Sequence, residues 1–134
     1  MDFRRTNMKR FPVLLLLVVA GCSGCAGLSA RQKVLLPTLQ MAWTPISADI
    51  SLGISMLPAE SQPALYTAQN EFAIALNNGD AQKMNLIPWT PLQEAAISGI
   101  EKRTTDGAIS PGVAESLKER VRNFTTARAE FLSR

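Results

Sequence analysis

Apolar residues recur at three- and four-residue spacing through most of residues 31–134, and no segment alternates with period two over a useful length. A chain patterned this way has helical stripes to bury and no sheet face to bury them against. It is expected to fold as helices packed on helices.

The start and stop signals divide the stretch into four. Ser29 with Gln32 makes a capping-box pattern, in which the hydroxyl accepts an orphan amide and the glutamine reaches back. Leu35, Leu39, Ala42 and Trp43 follow at helical spacing. Pro37 predicts a first turn beginning near it or a kink, and Pro45 predicts a restart. Ile46, Ile50, Ile54 and Leu57 then form an apolar stripe. A second helix is read from Pro63 to Asn77, with Leu65, Ala68, Phe72 and Leu76 buried. Asn77-Asn78-Gly79-Asp80 stops it, because Gly and Asn tolerate the left-handed conformation of helix ends. A third begins at Thr90-Pro91, with Gln93 completing another capping box. It buries Leu92, Ala96 and Ile100, and it ends at Thr105-Asp106-Gly107. Ser110 caps the fourth, with Pro111 at its first position. Val113, Leu117, Val121, Phe124 and Phe131 share one face, while Glu115, Lys118, Glu119, Arg122 and Arg128 fall largely elsewhere. Short connections make the expected fold class all-α, an up-and-down bundle of about four helices.

Trp43-Thr44-Pro45-Ile46 recurs as Trp89-Thr90-Pro91-Leu92, an offset of 46 that also pairs Gly53-Ile54 with Gly99-Ile100. Thr-Pro is a good helix start, so two helices sharing a cap would account for the match. The sharper reading is a duplicated helical hairpin with a pseudo-twofold. Trp43 and Trp89 are then equivalent packing residues; exposed together, they would form a binding patch.

The N-terminus has a different character. Arg4, Arg5, Lys9 and Arg10 precede an apolar run, Phe11 to Ala20, broken only by Pro12, and small residues follow at Gly21, Ser23 and Gly24. This is the three-part pattern of an export signal. The apolar run falls short of the roughly 20 residues that span a bilayer. Val19-Ala20-Gly21-Cys22 resembles the lipobox of bacterial lipoprotein precursors: aliphatic, small, small, Cys. The resemblance covers about the first 25 residues. It implies a diacylglycerol on the Cys22 thiol and cleavage between Gly21 and Cys22. It further implies anchorage in membrane lipid, and Ser23 in place of an aspartate points to the outer membrane. Met8 is an alternative initiator. Arg4-Arg5 only faintly resembles a twin-arginine signal, so ordinary Sec export is expected. Cys22-Ser23-Gly24-Cys25 has the C-x-x-C spacing of redox and metal sites, but no second cysteine pair and no histidine completes one. Lipidation would consume Cys22, which leaves Cys25 an incidental thiol on the tether.

The expected organisation is a signal peptide over 1–21, a lipidated tether over 22–30 and a helical domain over 31–134. The formal net charge of +3 belongs to the signal. Four of the 14 Lys and Arg, and one of the 11 acids, lie in residues 1–21, which leaves 10 of each. A neutral mature chain gives no support for nucleic-acid binding.

The chain contains no histidine, which removes the usual general base near neutral pH and the commonest metal ligand. Its acids are scattered, and none stands in a setting that sequence marks as apolar. Ser116 and Lys118 fall on different helix faces. Asp106-Gly107 mimics the middle of a calcium loop, but Lys102 and Val113 stand where that loop needs carboxylates. No phosphate-cradling glycine loop is present. The final helix is amphipathic and carries Arg120, Arg122, Arg128 and Arg134, but interspersed acids favour a packed bundle helix over one lying on a membrane. No enzyme activity, cofactor or metal site is expected. The leading reading is a membrane-anchored lipoprotein whose domain serves protein–protein interaction or structure in the envelope, with an envelope protein as partner. The second is a phage- or prophage-encoded lipoprotein acting in lysis or superinfection exclusion. A third is an envelope enzyme with an unrecognised carboxylate site.

Overall fold

The computed structural model describes residues 27–133. They form an all-α bundle of five helices: α1 (Ala30–Ser55), α2 (Gln62–Asn78), α3 (Ala81–Leu86), α4 (Thr90–Thr105) and α5 (Pro111–Ser133). No strand is present among the described residues.

The capping box at the head of α1 is formed. Ser29 Oγ accepts from the Gln32 amide at 3.2 Å, and the Ser29 amide donates to Gln32 Oε1 at 2.9 Å. Gln32 is buried and also donates to the Phe131 carbonyl at 2.7 Å, tying the start of α1 to the end of α5. Leu28 packs partly buried against the core.

Pro45 does not restart the helix. Pro37 and Pro45 both lie inside one continuous α1 of 26 residues. Each removes the amide that would have bonded four residues back, at Lys33 and Met41. Those two residues and both prolines are exposed, so water can take up the freed carbonyls. The apolar stripe ends at Ile54; Leu57 lies past the helix and is exposed.

α2 stops where expected. Gly79 has φ 65°; its amide donates to Leu76 and that of Asp80 to Ala75, the paired bonds of a Schellman end. Asp80 at once caps α3, accepting from the Lys83 amide at 3.1 Å. α3 was not expected, because six residues are too few to show a period. Met84, fully buried, anchors it in the core, with Ala81 packed partly buried beside it. The capping box expected at Thr90 and Gln93 is not made. Thr90 is already helical, Trp89 holds the cap position, and no side chain caps it. Ser110 does cap α5, accepting from the Val113 amide at 3.2 Å. The buried stripe of α5 begins at Ala114 rather than Val113, which is exposed.

Cross-helix contacts fix the directions. Going down α1 from Arg31 and Gln32 to Ile46, the facing residues of α5 fall from Glu130 and Phe131 to Leu117. Along α2, Leu76 faces Gln40 and Gln69 faces Ser47. On α4, Trp89 meets Thr125 and Glu101 meets Lys118. Neighbours are therefore antiparallel, and α1 and α4 run the same way. These two make the most extensive contact in the fold, with α2 and α5 on their flanks. The up-and-down order is as expected, squeezed along the α1–α4 diagonal.

Glycine permits the squeeze. A Cβ at Gly53 would strike the Ala95 carbonyl and lie 2.8 Å from Ala95 Cα. One at Gly99 would strike the Asp49 carbonyl and lie 3.2 Å from the Gly53 nitrogen. The two contacts are equivalents of each other, since Asp49 and Ala95, like Gly53 and Gly99, are 46 residues apart. α1 and α4 thus meet about a local pseudo-twofold. The relation does not carry into the flanking helices at that offset, where Phe72 and Phe124 are 52 apart.

Above this crossing sits a cluster of four rings. Trp43 of α1, Phe72 of α2, Trp89 at the head of α4 and Phe124 of α5 have centroids 4.9 to 6.4 Å apart in every pairing. Trp89 Nε1 donates to Thr125 Oγ1 at 2.9 Å, giving the buried indole its partner.

Candidate functional site

The two tryptophans named in the sequence as a potential binding patch are brought together, but inside the molecule. Trp89 is buried and Trp43 partly so, each against the other and against Phe72 and Phe124. They are core residues, not a surface patch. The guanidinium of half-buried Arg128, whose Nε is buried, lies over Trp89, 5.7 Å from the ring centroid. Burial lowers the Arg128 pKa from its usual value. The residues named for lipidation and cleavage, Gly21 and Cys22, lie outside the described residues, as does Cys25.

Two concave apolar surfaces stand out among the described residues. The larger is a groove of about 550 Å³ between α1 and α5. Leu39, Ala42 and Ile46 from α1 and Leu117, Val121 and Phe124 from α5 make its floor; Arg120 and Asn123 stand on the α5 side. Small Ala42 faces α5 where a larger residue would fill the gap. The second, about 380 Å³, lies beside α3 and is lined by Ala68, Glu71, Ile74, Lys83, Leu86, Ile87 and Pro88. Leu86 is 80% exposed and Ile74 50%, unusual for aliphatic residues that share one cleft.

The α1–α5 groove contains one polar feature that sequence reading missed. Asp49 lines it and is only 8% exposed, and its Oδ1 sits 2.8 Å from Arg103 Nη2. Arg103 is 35% exposed, and its Nε is buried without a hydrogen-bond partner among the described residues. Burial raises the Asp49 pKa; the charge of Arg103 and its hydrogen bond pull the other way and do not cancel it. A carboxyl with a raised pKa in a cleft suits acid–base chemistry. No cluster of three or more metal-ligating side chains occurs among the described residues. Asp49 and Arg103 join α1 to α4 as an interhelical lock beside the Gly53–Gly99 crossing. Lys102–Asp106 and Arg122–Glu119 are exposed pairs at helix spacing.

The lock has a testable sign. Because the folded state holds the Asp49 proton more tightly than the unfolded chain, the resulting stability is present below the ordinary aspartate range. It is lost as pH rises through the raised value. The stability of the natural protein minus that of Asp49→Asn, by denaturant titration, should fall across this window. A difference that rises with pH would mean that Arg103 outweighs burial.

No helix among the described residues is long and apolar enough to cross a membrane. No protein-family model, curated protein or solved structure matches the chain.

Proposed function

We propose that the protein is a lipoprotein of the bacterial envelope, held by acyl chains on Cys22 at the periplasmic face of the outer membrane. Its non-catalytic helical domain binds an envelope protein. The anchor rests on Val19-Ala20-Gly21-Cys22. The binding role rests on one observation of the fold: Leu86 projects from a six-residue helix, almost fully exposed, beside Ile74 and the apolar floor of the α3 cleft. Glu71 and Lys83 border the cleft with balanced charge. An exposed aliphatic knob beside a shallow apolar cleft with a polar rim is the anatomy of a protein contact, in which a few central side chains carry most of the affinity. α3 is held in the core by Met84, so the knob is presented on a fixed element.

The test is site-directed photo-crosslinking in intact cells. Benzoylphenylalanine in place of Leu86 should give a discrete protein adduct, abolished by a further Ile74→Asp change. The same group in place of Glu94, exposed on α4, should give none. Equal labelling at both positions, or none at Leu86, contradicts a partner at this cleft.

A further inference from the structure

Val34 is 74% exposed and Met41 81%, the values for two apolar side chains seven residues apart on one helix. Thr38 and Pro45, both exposed, complete the row at the three- and four-residue steps that keep α1 positions on one side. The row is a largely apolar ridge opposite the buried face of α1, and its Thr38, Met41 and Pro45 line the α1–α5 groove. Cations border it. Lys33 precedes Val34 on α1, and Arg120 stands across the groove on α5. Neither takes part in an ion pair among the described residues. Nearby Arg31 is balanced by Glu130, and Asp49 is buried and committed to Arg103. The face is therefore apolar and net positive, whereas the α3 cleft is apolar and balanced.

We infer that this face, the α1 ridge with the mouth of the α1–α5 groove, rests on an anionic lipid surface. The chemistry is that of interfacial binding: aliphatic side chains enter the acyl boundary while lysine and arginine meet acidic headgroups. The ridge also lies where the chain can deliver it. The seven residues from Cys22 to Ser29 span at most roughly 25 Å. Met41 lies twelve residues along α1 from Ser29, about 18 Å. A lipid-bearing Cys22 can thus sit in the bilayer while Val34 and Met41 touch it. Docked this way, the domain lies along the membrane, and Leu86 and the α3 cleft, on other elements, stay open to a partner. The inference rests on the lipid anchor proposed above.

The test uses the full protein extracted from membranes and reconstituted into phosphatidylethanolamine–phosphatidylglycerol vesicles carrying brominated acyl chains. In the Met41→Trp variant the emission above the background of Trp43 and Trp89 in the natural protein should fall by roughly half in bromolipid and shift to the blue, as interfacial burial requires. In Glu94→Trp, emission should match that in unbrominated vesicles. Lys33→Glu with Arg120→Glu, added to Met41→Trp, should restore the emission. A lipidated, vesicle-bound Met41→Trp protein quenched no more than Glu94→Trp overturns the docking and leaves the anchor standing. A protein that carries no lipid by mass and remains apart from the vesicles overturns both.

Discussion

Replacing Gly53 with alanine should lower the stability of the domain by about 3 kcal/mol, near the upper end of the usual cost of overpacking. The sign is the informative part. In an ordinary helix interior alanine is better than glycine by about 0.5–1 kcal/mol, because glycine loses more freedom on folding. At Gly53 the new methyl meets the Ala95 carbonyl group, which is backbone and cannot swing aside. α1 and α4 would have to part, loosening Ile50, Ile54, Ala96 and Ile100 around the crossing. For a domain of this size the loss amounts to roughly 10–20 °C in melting temperature. Gly99→Ala, the pseudo-symmetric change against the Asp49 carbonyl, should behave alike. Gly112→Ala supplies the contrast: it lies in the first turn of α5, and its nearest neighbour would be the Ser110 hydroxyl at 3.9 Å, so it should be neutral or stabilising by up to ~1 kcal/mol. Thermal unfolding followed by circular dichroism checks all three. Equal small gains at the three glycines would show that α1 and α4 do not meet as described.

The crossing illustrates what the chain discloses in advance. The match of Trp43-Thr44-Pro45 to Trp89-Thr90-Pro91, with Gly53 against Gly99, is visible in the letters. Its physical meaning is not, since either a shared helix start or a common contact would produce it. The fold shows that the glycines face each other and the indoles touch. Helix ends set by local hydrogen bonding were legible for the same reason they form: Ser29, Gly79 and Ser110 act within a few residues of themselves. α4 starts at Thr90 as its sequence suggests, but Trp89, packed on Phe72 and Phe124, takes the cap position, so Thr90 cannot form the capping box. Pro45 misled because a proline on the outer side of a long helix loses its hydrogen bond to water-accessible backbone, and the packed inner face carries α1 through.

The surfaces proposed for function were the least legible. Asp49 lies between Ile46 and Ile50, at a position periodicity alone assigns to the edge of the stripe. It is buried because α4 passes over it, a consequence of the glycine contact rather than of its own neighbours. Gln69 is a parallel case, a buried amide on α2 donating to the Ser47 and Ser51 hydroxyls at 2.9 Å. The α1–α5 groove and the α3 cleft are gaps between elements and belong to no single segment. One signal was present. Val34 and Met41 fall on the polar side of the α1 stripe, and an apolar residue in the wrong register is the mark of a second surface.

The largest expected change of all follows from one atom, the Cys22 sulfur. Without it no thiol accepts the diacylglycerol. The stepwise processing that the lipobox resemblance implies should stop before cleavage, and the protein should leave the membrane fraction or persist as an uncut precursor. A single acyl chain gives only marginal membrane binding, whereas two or more hold a small domain firmly, so the effect should be near all-or-none. Cys22→Ala places an alanine three residues before Cys25, so a Cys22→Ala/Cys25→Ala variant should show the same loss if Cys25 takes no lipid.

The measurement that bears most directly on the whole account is the intact mass of the protein extracted from membranes, taken beside Cys22→Ala. The expected species is a chain that begins at Cys22 and carries added diacylglycerol, with neither feature in the variant. An unmodified chain that retains residues 1–21 in the natural protein would contradict it, and with it both the anchor and the orientation of the domain on the bilayer.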